Sequence, residues 1–562
     1  MTADIVLMNA RIDTVNDAQP WAEAVAIRGE EIIYVGRDSS DALDALVGPA
    51  TETFDIGGRM VIPGMVDAHA HPDWVALSAW HVTLPWTYDI DEILAFVRQY
   101  AAEHPKEEVP FIYAEYYPST LFDTEGPKKE LIDAYVSDRP VLLQDHSDHC
   151  SWMNSTMLEL MGVDKHTPVQ VVPDDPAPQF VRDAEGNPTG WVKEMAWQYF
   201  ADAMYEAIGW RPPDEVTPEM LRDFTSFLCS KGESALWDAI GNEATFAAAA
   251  ALDEQEELNL YYHGSRRFFS LADLPENIAV LRGWEEKYGG KHVHLDALKL
   301  FLDGTNEIGT SAVIEPFIVG EGDHGELRMS EDDLTACLLI LNEEDLDLHV
   351  HLVGDRAFRT ACNAVERARA ELGEAWRIQV TLAHCELIDP ADMPRVAELG
   401  IIVNWSTHWS GGYFSAQSLE WLGPERFDRM YQFNPIIQSG GVVCYSSDVI
   451  TKYEAHRGDP FFGMQVAHTR IDPEFPIYPE HPVREPASAK LSLTDLVKGY
   501  TLNGAIQLRL ADRMGSIEVG KLANMAILNK DLFSVPDHQI RTVAPEAVLF
   551  EGRVVHGSLM LP

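Results

Sequence analysis

The residues best suited to chemistry begin with Asp67-Ala68-His69-Ala70-His71. On a strand, His69 and His71 point to one face because side chains alternate with period two. Two imidazoles on one face at a strand end can chelate a metal ion, although a lone HxH reads equally well as two ordinary polar histidines. Other segments add weight. In Leu346-Asp347-Leu348-His349-Val350-His351 the polar face carries Asp347, His349 and His351. His351 lies nearest the strand's C-terminal end, where barrel enzymes keep catalytic groups. His349 is expected a layer deeper, as a satisfied core histidine. His384 ends an apolar run from Ile378, and Asp448 ends another from Val442. Four strands thus finish in side chains that bind zinc or a similar divalent ion, and one or two ions are expected.

Lys299 is a different kind of signal. It sits late in Ala297-Leu298-Lys299-Leu300-Phe301-Leu302, where an unpaired ammonium is costly to bury. One reading pairs it with Asp303 on the same strand face. The other depresses its pKa by burial and metal, so that it reacts with CO₂ to give a carbamate able to bridge two metals.

The elements that must position these residues alternate between strand-like and helix-like, which predicts an α/β fold with a parallel sheet. Candidate strands are 60–69, 235–240, 258–263, 293–302, 346–352, 378–384, 401–405 and 442–447, and eight such strands fit a closed (β/α)₈ barrel of the TIM type. The clearest helix follows Leu352, with Phe358, Ala361, Val365, Ala368 and Leu372 at helical spacing, Asp355 as its expected N-cap and Gly373 as its end. Short strand runs at both ends, such as Ile5–Met8 and Met525–Leu528, suggest one small β-sandwich built from residues 1–60 and 512–562. Residues 61–511 then form the barrel. Within it, 72–210 breaks the rhythm and reads as an insertion on the catalytic face.

Composition narrows the partners. The chain has 562 residues and a formal charge of −48, which repels nucleic acid and anionic membrane surfaces. No apolar window of about 20 residues predicts a membrane span. The first residues lack a basic region ahead of an apolar stretch, so no signal peptide is expected. Six scattered cysteines without a CxxC pair fit a reducing cytoplasm.

Taken in order, further motifs make the match specific. They are Val61-Ile62-Pro63-Gly64 before the HxH, Lys299 through Thr305, His351-Leu352-Val353-Gly354-Asp355-Arg356-Ala357, His384 with 389–395, Thr407-His408, Ser447-Asp448, and 515–523. Over nearly its whole length the chain resembles the amidohydrolase superfamily. Within that it is similar to the YtcJ-like (amidohydrolase 3) group, which includes N-substituted formamide deformylases. The resemblance implies a barrel with a terminal β-sandwich, Asp448 as both ligand and proton shuttle, and Lys299 as the lysine to test for carboxylation. It also marks 148–155 and 190–194 as the group's inserted segment, which brings His149 within reach of the substrate. Asn524 departs from the group's usual Asp, Tyr445-Ser446 from a smaller approach to Ser447-Asp448, and Trp405-Ser406 from Gln-Pro.

The chemistry this implies is hydrolysis of an amide-type C–N bond in a small molecule, such as an N-substituted formamide or N-acyl amine. Metal lowers the pKa of water toward about 7. Asp448 acts as general base and then acid, with His408 or His149 helping to polarise the carbonyl. Trp74, Trp405 and Trp409 are candidate walls of an apolar pocket, or else core aromatics. Asp303 and Arg356 are further candidate substrate contacts. Arg356 reads equally as pairing with a neighbouring loop. Ester, lactone or cyclic-amide hydrolysis and decarboxylation share the same cage. A non-catalytic barrel scaffold is the rival from another class, and a homodimer is a compatible assembly.

Overall fold

A computed structural model describes residues 2–118, 121–147, 149–171, 179–320, 322–412, 416–477 and 483–560. Eight parallel strands run in sequence order around one sheet. They are β1 (Met65–Ala70), β2 (Glu233–Asp238), β3 (Tyr261–Arg267), β4 (Val293–Phe301), β5 (Asp347–Leu352), β6 (Val380–His384), β7 (Ile402–Ser406) and β8 (Val442–Ser446). Helices follow most of them, as in a (β/α)₈ barrel. Strands covered on both faces read as apolar runs, which made most of them visible in the sequence, whereas β3, with His263, Ser265, Arg266 and Arg267, begins three residues and ends four residues later than the expected 258–263.

The last seam is held by polar groups. The Asp448 amide donates to the His69 carbonyl at 2.8 Å. The Ser447 amide and hydroxyl donate to the Asp67 carboxylate at 2.9 and 2.5 Å. These bonds tie the ends of β8 and β1, and with them Asp448 to the HxH pair.

The expected strand 60–69 divides at Gly64. Met60–Pro63 belongs to a six-stranded sheet and Met65–Ala70 to the barrel. A Cβ on Gly64 would lie 2.2 Å from the Ser234 hydroxyl, so only glycine lets the chain pass from one sheet to the other. The six-stranded sheet combines Arg11–Asp13, Trp21–Ala22 and Met60–Pro63 with Met525–Leu528, Pro545–Phe550 and Arg553–Gly557. A four-stranded sheet of Ile5–Met8, Ala24–Arg28, Glu31–Gly36 and Glu52–Asp55 packs against it. Leu7, Val25, Ile27, Val61, Ile527 and Leu549 form their shared core. Asn524 lies here, its side-chain oxygen accepting the Glu551 amide at 2.7 Å.

The inserted region holds a sheet of its own, with strands in the order Phe180–Arg182, Pro188–Lys193, Cys150–Met153, Val141–Asp145, Ile112–Tyr117 and Val82–Thr83. Asp148, at the start of the inserted motif, lies outside the described residues. The helix after β5 spans Asp355–Leu372 and ends at Gly373 in the left-handed region, φ 55°. Its N-cap is Gly354, one residue earlier than expected. Asp355 instead accepts the Ile314 amide at 2.8 Å and faces Arg429 at 3.6 Å, because a loop lies close enough to compete for its carboxylate.

Candidate active site

The ends of β1, β4, β5, β6 and β8 deliver their polar side chains to one point inside the barrel mouth. Asp448 is the hub. Its Oδ1 lies 3.4 Å from His69 Nε2 and 3.2 Å from His71 Nε2. Its Oδ2 lies 3.3 Å from His384 Nδ1. Lys299 Nζ is 3.3 Å from His69 Nε2, and the His351 ring centroid is 4.4 Å from that of His384. Ligand atoms of His69, His71 and Asp448 all fall within 4.8 Å of one another. His384 and Asp448 hold φ of 72° and 50°, left-handed conformations that non-glycine residues adopt at a cost of about 1–3 kcal/mol. Backbone strain at two residues of one cluster marks it as a site.

Charge states follow from burial. Burial drives His69 and His351 well below the usual imidazole pKa, with neighbouring Lys299 and His384 adding to the effect, and leaves His384 at about 3. Burial alone would raise Asp448, but His384, His71 and Lys299 outweigh it and hold its carboxyl at about 2. Burial brings Lys299 down to about 7, against the pull of Asp448. His69, His351 and His384 are therefore neutral imidazoles beside an ionised carboxylate, the forms that bind metal. His384 Nε2 is buried without a hydrogen-bond partner among the described residues, as a nitrogen reserved for an ion would be. These donors fit a divalent cation.

Supporting contacts orient the imidazoles. His349 Nε2 lies 2.9 Å from His69 Nδ1, and the His349 ring stacks on Trp237 at 5.3 Å. His349 is buried as expected, but it holds His69 rather than serving as a bystander of the core. His351 Nε2 lies 3.1 Å from the Gly304 carbonyl, leaving Nδ1 for the site.

A cavity of about 200 Å³ opens on the cluster. Trp74 and Trp409 line it, each backing an imidazole: Trp74 stacks on His71 at 4.4 Å, Trp409 on His384 at 5.5 Å. His149 lines it from the inserted sheet. Four other candidates lie off its surface. Trp405 is buried against Phe433, 4.3 Å between centroids, because β7 turns it outward into the core. The Asp303 carboxylate accepts the amides of Ala312, Val353 and Gly354 at 2.8–2.9 Å and so fastens two loops together. Arg356 donates to the Gly325 carbonyl at 2.6 Å. His408 is buried beside Trp409, with 6.0 Å between rings. Sequence reasoning missed Glu194, Arg328, Glu307 and Glu386, all of which line the cavity. Glu194 closes the quoted 190–194 segment and was discoverable there. Arg328 lies far along the connection after β4 and carries no local signal.

Comparison with known proteins gives the family. The model of the Amidohydrolase family matches residues 52–556. The chain belongs to that family. Among curated relatives, the exoenzymes regulatory protein AepA of Pectobacterium carotovorum is 28% identical, over 80% of this chain and 94% of its own. The putative amidohydrolase YtcJ of Bacillus subtilis is 25% identical, over 94% and 96%. The N-substituted formamide deformylase of Arthrobacter pascens is 24% identical, over 94% of each. The solved structure of an uncharacterized metal-dependent hydrolase from Pyrococcus horikoshii shares this fold with a TM-score of 0.68 at 20% identity, covering 95% of this chain and 99% of its own.

Proposed function

We propose that this amidohydrolase cleaves an amide-type C–N bond, in an N-substituted formamide or N-acyl amine, with zinc held by His69, His71, His351, His384 and Asp448. The observation that carries this reading is the Asp448 carboxylate within 3.4 Å of three imidazoles. A bound divalent ion supplies Lewis-acid polarisation of the carbonyl and a water acidic enough to react at neutral pH. Asp448, ionised and at the centre of the cluster, would take a proton from the attacking water and return it to the departing nitrogen. His349 and the Gly304 carbonyl hold the rings of His69 and His351 in place. Trp74 and Trp409 favour a substrate with a flat apolar part and keep bulk water from the reacting carbon.

Lys299 completes the proposal. As a free amine it adds CO₂, forming an N–C bond and releasing one proton, and the resulting carbamate is an anionic ligand for a second ion. The relative from Arthrobacter pascens, a formamide deformylase by name, is the reason to try formamides first.

The experiment is bound metal per chain by elemental mass spectrometry, followed by turnover of the zinc-loaded protein on formanilides, acetanilides and matched phenyl esters. Zinc retained and anilides hydrolysed faster than the uncatalysed reaction is the expected result. Ester hydrolysis alone would replace the C–N assignment, and failure to take up metal would leave a scaffold.

A further inference from the structure

His149 and Glu194 lie one residue beyond the paired ends of two strands of the inserted sheet, Cys150–Met153 and Pro188–Lys193, where the Glu194 amide donates to the His149 carbonyl at 2.9 Å. Their side chains meet as well, with His149 Nδ1 3.0 Å from Glu194 Oε2. An ionised carboxylate only accepts, so Nδ1 carries a hydrogen toward Glu194, and paired with that charge as an imidazolium the ring carries a second hydrogen on Nε2. Nε2 is then the nitrogen offered to the cavity that His149 lines.

Glu194 is gripped from the barrel side too. Thr310 donates its hydroxyl to Glu194 Oε1 at 2.8 Å, and the Arg328 guanidinium lies 3.2 Å from Oε2. Thr310 and Arg328 both lie on the connection between β4 and β5. Glu194 and Met195 hold φ of 54° and 52°, left-handed conformations that persist where the surroundings over-determine them. The inserted segment and the connection between β4 and β5 are thus clamped at one carboxylate, and the His149 ring stands 6.2 Å from the ring of His351.

We propose that His149 donates a hydrogen bond from Nε2 to the substrate carbonyl oxygen as it becomes an oxyanion, and that Glu194, Thr310 and Arg328 position it. The inference rests on the hydrolytic reading above. The water oxygen bonds to the carbonyl carbon, and the C=O π pair moves onto the oxygen that His149 meets. That pair returns as the C–N bond breaks, and the nitrogen leaves with the proton that Asp448 took from water. His149 keeps its own proton throughout.

The test compares wild type with His149→Ala, His149→Gln and Glu194→Ala, all zinc-loaded, on the anilide panel. Removing one oxyanion donor lowers kcat by about 10²–10³. His149→Ala is expected to show that loss with KM and metal content unchanged. His149→Gln, whose amide can donate, should recover part of it, and Glu194→Ala should fall between. An unchanged kcat, or a rise in KM alone, would overturn the role. If esters but not anilides are hydrolysed, the C–N reading fails and the same comparison runs on the ester, which passes through the same oxyanion. Calorimetry with methyl phenylphosphonate, a tetrahedral anion, decides the matter without turnover: His149→Ala should bind it at least about tenfold more weakly, and equal affinities would overturn the proposal.

Discussion

His349 Nε2 and His69 Nδ1 stand 2.9 Å apart, two histidines from different strands joined by a single hydrogen bond. With its Nε2 turned to Asp448 and Lys299, His69 donates from Nδ1, and His349 sets its tautomer. Loss of such a supporting contact weakens metal binding about 10–100-fold. His349→Leu should show that drop in a competition titration with a zinc chelator. His349→Gln, which keeps an acceptor, should lie closer to wild type.

Asp448→Asn separates holding metal from moving protons. The amide can still occupy the hub between His69, His71 and His384 but cannot take a proton from water. Part of the metal should remain while kcat falls by about 10²–10⁴, the usual contribution of general acid–base catalysis. Near-normal turnover would remove Asp448 from the shuttle role.

Lys299 is buried at the end of β4, with its amine brought down to about 7 by burial. Protein equilibrated with ¹³C-bicarbonate and zinc should show a carbamate carbonyl resonance that is absent from Lys299→Ala. Metal content should fall from about two ions per chain to one or none, the count expected when a bridging ligand of a two-metal site is lost. One ion in both proteins and no new resonance would make Lys299 a structural cation.

Trp405 and Trp409 are four residues apart and should behave oppositely. Trp405 is buried beneath Phe433 and Tyr431, and truncating such a side chain to alanine costs about 3–5 kcal/mol. A urea melt of Trp405→Ala should show that loss, with KM little changed in whatever protein stays folded. Trp409→Ala opens the cavity wall behind His384, and its main effect should be on KM for aryl substrates.

Glu551 gives a pH prediction away from the site. Burial would raise its pKa, but contacts with His292, Lys291 and Tyr261 lower it from 4.5 to about 2. A carboxylate with a depressed folded-state pKa stabilises fully above its unfolded pKa and loses that contribution as pH falls toward the folded value. Glu551→Gln should therefore lower the urea midpoint at pH 7, and the gap should narrow by pH 3. A gap independent of pH would assign the effect to packing.

Much of this arrangement was legible in the chain itself. Most barrel strands carry short apolar runs, and the metal-binding types close four of them, at His71, His351, His384 and Asp448. Period two put His69 and His71 on one face without any coordinates. The inserted sheet was less readable, because its strands are two to six residues long and mix parallel with antiparallel pairing. No single period runs through it.

The sequence by itself therefore determined the barrel, the family and the metal-binding residue types, since these depend on local periodicity and on side-chain chemistry. Tertiary structure alone decided which nearby candidates share the site. Trp405 points into the core and Trp409 into the cavity because a strand ends between them and the chain turns. Asp303 is consumed by three backbone amides that only the folded loops bring to it. Glu194 and Arg328, 134 positions apart in the chain, became neighbours because the inserted sheet closes over the barrel mouth. Contacts of that kind depend on loop geometry, and no local pattern of residues encodes it.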